Sequence, residues 1–231
     1  MQTINVNIPA MERRGEEAYK TLRTNLQFCG KDVKSIAITS CEPNEGKTTV
    51  SLNLAKSFAE SGKHVLYVDA DLRKSVVISR CRVNQAVRGL SHYLSGQSAF
   101  ADVLYATNVR NLHMIFAGPV PPNPSELLAG NGFSTAINKL KSVYDYIIID
   151  APPLGRVIDA AVIANECDGS ILVVAANSVS RRFAKKVADQ LKMANCPILG
   201  VILNKVNMKD SSYGKYYGKY YGKEADKYLK D

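Results

Sequence analysis

The chain has 231 residues, enough for one domain of α/β size with a full core, and its 46% apolar and 22% charged residues are globular values. A net charge of +9 points to an anionic partner, whether nucleotide, nucleic acid, membrane surface or acidic protein, without choosing among them. Five scattered cysteines, Cys29, Cys41, Cys81, Cys167 and Cys196, form no C-x-x-C and fit reduced thiols, and three widely separated histidines argue against zinc.

Residues 1–10 read as an extended arm without the apolar h-region of a secretory signal. No apolar run anywhere approaches the roughly 18 residues of a membrane span, so no membrane-spanning segment is expected. A helix is predicted over 16–28, with Ala18, Tyr19, Leu22 and Leu26 near one stripe. Glu17, Lys20 and Arg23 follow one another at spacing three on its charged face. On spacing alone that face reads as solvated, with intrahelical pairs.

Ile36, Ala37 and Ile38 then make a short apolar run suited to a buried strand. A turn with Pro43 and Asn44 follows, then Gly46, Lys47, Thr48 and Thr49. A helical pattern opens there through Val50, Leu52, Leu54, Ala55 and Phe58. Strand, glycine-containing loop and helix N-terminus in that order form a phosphate cradle. Loop N–H groups and the unpaired donors of the first helical turn converge, and the helix dipole favours negative charge there. Lys47 can reach the β- and γ-phosphates, and the Thr48 hydroxyl can ligate Mg²⁺. The pattern G-x-x-x-x-G-K-[ST] is met imperfectly, because Cys41 stands at its first glycine.

After a C-cap signal at Gly62, a strand over 64–68 ends in DADLRKS. Asp69 and Asp71 flank one residue there, so both carboxylates can face the ligand side, beyond the carboxyl ends of the strands. Such a pair beside a phosphate loop suits Mg²⁺; a helix N-cap at Asp71 is the plainer reading. Residues 75–106 are less regular; they contain GLSHYLSG, read as a short helix, and Arg80, Arg82 and Arg88, just after Arg73 and Lys74. A strand over 112–117, a proline-rich loop, a helix from about Ser125 and another over 133–143 lead to YDYIIIDAPP. Its apolar run over 146–149 fits a parallel strand buried on both faces, with Asp150 at the tip to hold Mg²⁺ through water or simply to make a turn. Helix 159–167, strand 170–175, helix 181–194 and strand 198–203 continue the alternation. The expected fold is therefore α/β: a doubly wound, mostly parallel sheet with helices on both faces. Asn204 closes the last strand on the ligand side, either for an adenine edge or as a turn residue.

The segment from residue 207 to 231 differs in kind. YGKY recurs with period four, and six of the twelve tyrosines lie here, including Tyr213, Tyr216, Tyr217, Tyr220 and Tyr221. No apolar face emerges at either regular period, so a flexible tail beyond a 1–206 domain is expected. Its open readings are a solubilising tail, a nucleic-acid binder or a set of tyrosine substrates.

Three motifs in order, ITSCEPNEGKTT, VLYVDADLR and YIIIDAPP, resemble the Walker A, A′ and B motifs of the bacterial tyrosine kinases, and the tyrosine-rich end resembles their autophosphorylation cluster. The resemblance covers nearly the whole chain and is nearest to the cytoplasmic autokinases of Gram-positive capsule and exopolysaccharide synthesis. It implies a non-specific protein-tyrosine kinase of the P-loop NTPase class with deviant Walker motifs, using ATP and Mg²⁺. It places Glu45, Gly46, Lys47, Thr48, Thr49, Arg73 and Asn204 around the nucleotide. Thr48, Asp71 and Asp150 would serve the metal, with Lys47, Asp69, Asp71 and Asp150 catalytic. Tyr213, Tyr216, Tyr217, Tyr220 and Tyr221 would be the autophosphorylated residues. The family's E-x-x-R-x-x-R oligomerisation helix is matched by Glu17, Lys20 and Arg23, with lysine in the middle, which keeps the charge and loses the bidentate fork. The implied partners are a membrane-anchored chain-length regulator that activates the kinase and recruits it from the cytoplasm to the inner face of the membrane, further copies in a homo-oligomer such as a ring, and a cognate tyrosine phosphatase, with no nucleic acid.

Two other classes share these residues. Partitioning and cell-division ATPases carry a second lysine four residues before the loop glycine, where this chain has Glu42, and they lack a tyrosine cluster. A nucleotide-gated scaffold without phosphotransfer would bind with the same groups.

Overall fold

Buried apolar runs in the strands and one-sided apolar stripes in the helices assemble into three layers. A computed structural model describes residues 1–207; the tyrosine cluster lies outside them. The chain begins with β1 (Gln2–Ile4) and α1 (Arg13–Gln27), then β2 (Ser35–Ser40), α2 (Lys47–Glu60) and β3 (Val65–Asp69). Three short helices follow, α3 (Val77–Arg80), α4 (Leu90–Leu94) and α5 (Phe100–Val103), with β4 (Tyr105–Thr107) and β5 (Leu112–Ile115) after them. Helices α6 (Pro124–Ala129) and α7 (Asn131–Leu140) lead to β6 (Tyr146–Asp150) and α8 (Asp159–Asn165). The described chain closes with β7 (Gly169–Ala175), α9 (Arg181–Met193) and β8 (Ile198–Asn204).

The eight strands form one sheet in the order β1-β4-β5-β3-β6-β2-β7-β8. All neighbouring pairs are parallel except β4 with β5. The expected doubly wound, mostly parallel sheet is what the chain forms. Successive strand residues point to opposite faces, and each face builds its own core. Ile36, Ile38, Tyr67, Ile148 and Val173 pack with Val50, Leu54 and Phe58 of α2 and Leu26 of α1. Ala37, Leu66, Val68, Ile147, Ile149 and Leu172 pack with Phe133 of α7, Ile163 of α8 and Leu191 of α9. Each large apolar side chain buried this way contributes about 1.5–3 kcal/mol, enough in sum to offset the carboxylates buried at the carboxyl ends of the central strands.

The beginning of the chain is more than an arm. Gln2, Thr3 and Ile4 pair in parallel with Tyr105, Ala106 and Thr107 at the sheet's edge. Ile4, Val6 and Ile8 are buried in the core beside α2. The alternation of these three residues is a strand signal, and it takes effect because β4 offers an unpaired edge. Helix α1 begins at Arg13, three residues before the expected start. Among the described residues no helix is long and apolar enough to cross a membrane.

Candidate active site

The order of strands decides where chemistry can happen. From β2 the chain crosses over β6 to reach β3, and from β6 it crosses over β2 to reach β7. The connections diverge beyond the carboxyl ends of β2 and β6, which leaves a crevice there. Residues 41–46 lead from β2 into α2 across that crevice. Asp69 and Asp150 end the adjacent strands β3 and β6 and lie opposite each other in the ladder.

Gly46 takes φ +97°, in the region that favours glycine, and stands at the N-cap of α2 without any side-chain cap. A Cβ at Gly46 would fall 2.1 Å from Asn204 Nδ2, so this glycine is a steric requirement. The donors of the first turn of α2 are thereby left for a ligand. Asn44 also has positive φ, at 65°, which asparagine tolerates; Cys41 is not among the residues with positive φ. The loop's first glycine position therefore has no conformational need of glycine here.

The walls of the loop are fixed by side chains that bond its own backbone. Glu45 is 2% exposed; its carboxylate accepts from Glu42 N–H at 2.8 Å, Ala175 N–H at 3.2 Å and Ser178 Oγ at 2.7 Å. Asn204 Nδ2 donates to the Glu45 carbonyl at 2.8 Å, and Lys205 Nζ to the Asn44 carbonyl at 2.6 Å. Glu45 and Asn204 thus hold the loop's shape with their side chains, and what Glu45 leaves for a ligand is its backbone. Thr49 Oγ1 accepts from Arg80. Arg73, at the turn after β3, makes a fork to Asp159, 2.7 Å from Nε and 3.1 Å from Nη2, with Ser125 at 2.9 Å. Burial would raise Asp159, but the bonds from Arg73 and Ser125 prevail and hold its carboxyl below the usual range. Arg73 therefore ties the turn after β3 to the start of α8.

The centre holds one lysine among three aspartates. Lys47 Nζ lies 2.9 Å from Asp71 Oδ2 and 3.7 Å from Asp150 Oδ1, with side-chain exposures of 12%, 6% and 1%. Burial opposes the lysine's charge, but Asp150, Asp71 and Asp69 outweigh it and hold Lys47 above its usual value. Asp150 Oδ2 accepts from Tyr67 Oη at 3.2 Å, while Asp150 Oδ1 is buried with no hydrogen-bond partner. Burial pushes Asp150 up, against the pull of Lys47. Asp69 is fully buried; Ser75 Oγ donates to its Oδ2 and Asp71 N–H to its Oδ1 at 3.3 Å. Burial and then the charge of Asp150 push Asp69 up to about 7. Asp71 also accepts from Lys74 N–H at 3.0 Å, so it caps its turn as well as pairing with Lys47.

These groups fit a nucleotide with Mg²⁺. An orphaned carboxylate oxygen beside a hydroxyl-bearing helix start is an incomplete set of hard oxygen donors, and Mg²⁺ characteristically completes such a set with phosphate and water. The contacts of Tyr67, Ser75, Arg80 and Ser178 went unread in the sequence. Only Tyr67 left a trace, as a phenol in a strand buried on both faces, where its hydroxyl needs a partner. On α1, Glu17 and Lys20 pair with each other at 2.6 Å on the exposed face. Arg23 instead turns inward, donating to the Ser57 carbonyl of α2 at 2.7 Å.

Residues 33–195 match the AAA domain family. The chain is 44% identical over 204 residues to the tyrosine-protein kinase CpsD of Streptococcus agalactiae, covering 88% of this chain and 89% of the relative. The kinase domain of the Escherichia coli tyrosine kinase ETK superposes with a TM-score of 0.82 at 33% identity, covering 89% and 82% of the two chains. The septum site-determining protein MinD of Pyrococcus horikoshii, complexed with Mg-ADP, superposes with a TM-score of 0.67 at 30% identity over 77% and 72%. With its P-loop fold, its one lysine among buried carboxylates and these relatives, the chain belongs to the bacterial tyrosine kinase family and is a protein-tyrosine kinase.

Proposed function

We propose that this kinase uses ATP and Mg²⁺ to phosphorylate its own tyrosine cluster, Tyr213, Tyr216, Tyr217, Tyr220 and Tyr221, and that it does so in the service of capsular or exopolysaccharide synthesis. The observation that carries this reading is Lys47 held between Asp71 and Asp150 at the start of α2, with the Asp150 oxygen that faces Lys47 left without a hydrogen bond. Backbone donors of residues 44–49 and the Lys47 side chain would cradle the β- and γ-phosphates. Thr48, Asp71 and Asp150 would hold Mg²⁺, which when bound supplies charge neutralisation across the phosphates. Lys47 would exchange its ion pairs with Asp71 and Asp150 for the β- and γ-phosphates. Glu45, Asn204 and Arg73 position these groups.

Asp69 would accept the proton of the incoming tyrosine. A tyrosine hydroxyl with pKa near 10 is a poor nucleophile until its proton has somewhere to go, and a base near 7 is matched to that task. Because Ser75 covers Asp69 Oδ2, the phenol reaches this carboxylate only as Ser75 gives up its bond. Transfer between subunits of a homo-oligomer, with Glu17, Lys20 and Arg23 at the contact, fits the family's oligomerisation helix. Recruitment to the membrane by a chain-length regulator, and reversal by a tyrosine phosphatase, complete the reading. Glu42, where partitioning ATPases carry lysine, argues against their mechanism; it pairs with Arg156 at 2.6 Å.

The test is incubation with ATP and Mg²⁺, followed by phosphotyrosine detection and mass spectrometry. Phosphate is expected on the five named tyrosines and is expected to vanish in a folded Lys47→Met protein. Mixing Lys47→Met chains with a competent variant whose cluster tyrosines are phenylalanine tests transfer between subunits. A wild-type chain that binds ATP yet never acquires phosphotyrosine, even with an activating partner's cytoplasmic tail, sinks the reading in favour of a scaffold.

A further inference from the structure

Helix α9 carries charge that neither the fold nor the catalytic site uses. Arg181, Arg182, Lys185 and Lys186 are all exposed, and none makes an ion pair among the described residues. Their spacing puts them on one outward stripe about two turns long, while Val187 and Leu191 face the core. The helix's own acid, Asp189, is engaged with Lys192 at 3.8 Å. Arg181 and Arg182 sit in a first turn that holds no acidic residue, where the helix dipole disfavours cations. Four cations in an arrangement that costs helix stability call for an anionic partner.

The path of the chain supplies one. The Asn204 carbonyl, at the end of β8, accepts from Ala176 N–H at 2.8 Å. Ala176 opens the connection from β7 to α9, so the chain sets out beyond Asn204 from the same end of the sheet at which α9 begins. Residues 208–231 carry six lysines and four acids, a side-chain charge of +2. In that form they are repelled by the stripe. Each phosphotyrosine adds about −1.5 to −2, so two bring the segment to about −1 to −2 and four to about −4 to −6.

We propose that the exposed face of α9 is a docking surface for the chain's own C-terminal segment once its tyrosines are phosphorylated, with the phosphates taken by Arg181, Arg182, Lys185 and Lys186. The proposal rests on the reading that the cluster is phosphorylated. Arginine matches phosphate with a bidentate fork, and lysine adds a point charge. Reach is sufficient: Tyr213 is nine residues past Asn204, about 15–18 Å as a coil, and Arg181 is five residues past Ala176, at most about 17 Å. Tethering gives an effective concentration in the millimolar range, so contacts of modest intrinsic strength hold the segment down. Docking then keeps phosphorylated tyrosines on their own subunit.

The test uses a synthetic peptide of residues 208–231, unmodified or carrying phosphate at Tyr213, Tyr216, Tyr217, Tyr220 and Tyr221, titrated into the full-length Lys47→Met chain by fluorescence anisotropy. The phosphopeptide is expected to bind at least about tenfold more tightly than the unmodified one, and this preference is expected to shrink in high salt. Changing all four cations to serine is expected to remove at least about tenfold of the phosphopeptide's affinity while nucleotide binding persists. Lys185→Glu alone, which keeps the fold with less risk, is expected to weaken it by severalfold. Equal binding of the two peptides, or a phosphopeptide affinity untouched by these changes, overturns the proposal. So does a stripe that binds vesicles of phosphatidylserine but shows no preference for the phosphopeptide. Because the peptide is made with its phosphates, the result does not depend on the kinase reaction, whose failure would show separately as absent phosphotyrosine.

Discussion

Strand β2 runs between two aspartate sites of opposite character. At its start, Asp168 accepts from the N–H groups of Lys34 at 3.0 Å and Ser35 at 2.8 Å, from Ser35 Oγ at 3.0 Å, and from Lys141 Nζ at 2.8 Å. Burial works against its charge, but these bonds prevail and hold its carboxyl below the usual range. At the other end, Asp150 keeps a buried oxygen with no donor, and Asp69 is pushed up to about 7. Both ends belong to one sheet and face similar cores. The amino end is a finished site, in which every donor has an acceptor. The carboxyl end holds three carboxylates around a single lysine, and its surplus of acceptors is an opening for cations and phosphate. An electrostatic conflict left standing in an otherwise satisfied fold marks where binding happens.

Matched substitutions at the two ends should break in opposite ways. Asp150→Asn is expected to cut tyrosine phosphorylation by roughly 10²–10³-fold, as losing one charge-stabilising group at a reacting centre does. Its stability should hold or rise slightly, because the amide is neutral where the carboxylate is forced up. Asp168→Asn is expected to leave kinase activity within about twofold and to cost about 2–3 kcal/mol, since four donors lose a charged acceptor. Urea unfolding and a phosphorylation assay on the two variants decide the matter; a large stability loss in Asp150→Asn would remove the contrast.

Acid titration sharpens the same comparison. A carboxyl whose folded pKa lies above its unfolded one binds more protons folded than unfolded between the two values. Asp69, about 7 when folded against an ordinary 3.8, therefore makes the protein lose stability as pH rises from about 4 to about 7, by on the order of 2–4 kcal/mol. Asp168 does the reverse: its contribution is complete above about 4 and is lost as pH falls through its lowered folded value. Asp69→Asn should thus flatten the decline in stability between pH 5 and pH 7.5 while leaving the acid limb in place. It should also lose kinase activity and keep most of its ATP affinity. An unchanged slope would mean that Asp69 is already ionised at pH 5, and lost nucleotide binding would make it a metal residue.

Much of this was written locally. Each strand's apolar run and its terminal residue are contiguous in sequence, so β2 with Gly46 and Lys47, β3 with Asp69, and β6 with Asp150 could be read before any fold was known. Parallel topology alone then brings their ends together. What could not be read depends on pairs far apart in the chain. Arg73 finds Asp159, Asn204 finds the Glu45 carbonyl, and Arg23 finds Ser57 of α2. In each case the residue type permits several roles, and only packing chooses one. The 75–106 region resisted for another reason. Apart from α4, which GLSHYLSG announced, its elements α3, α5 and β4 have three or four residues each, too short for a period to declare itself.

The smallest expected effect concerns Cys41, which lies between the two kinds of site. It follows β2 directly and belongs to the phosphate loop by sequence, yet it is fully buried and packs with the core on the α8 side. Burial, followed by the charges of Glu45 and Glu42, pushes its thiol up to about 12, so no thiolate forms at neutral pH. Its backbone does not need a positive φ, and its carbonyl is crowded by Gly155, where a Cβ would come within 2.1 Å. The loop's path at this point is thus set by contact with the connection after β6, and the residue type matters only as filler. Cys41→Gly is expected to keep ATP affinity within about threefold. It should cost about 1–2 kcal/mol, from the lost side-chain packing and the added freedom of the unfolded chain. In the folded wild type, a maleimide should label exposed Cys29 and spare Cys41. A large loss of ATP binding in Cys41→Gly would move this residue from the packed, finished part of the molecule to the reactive one.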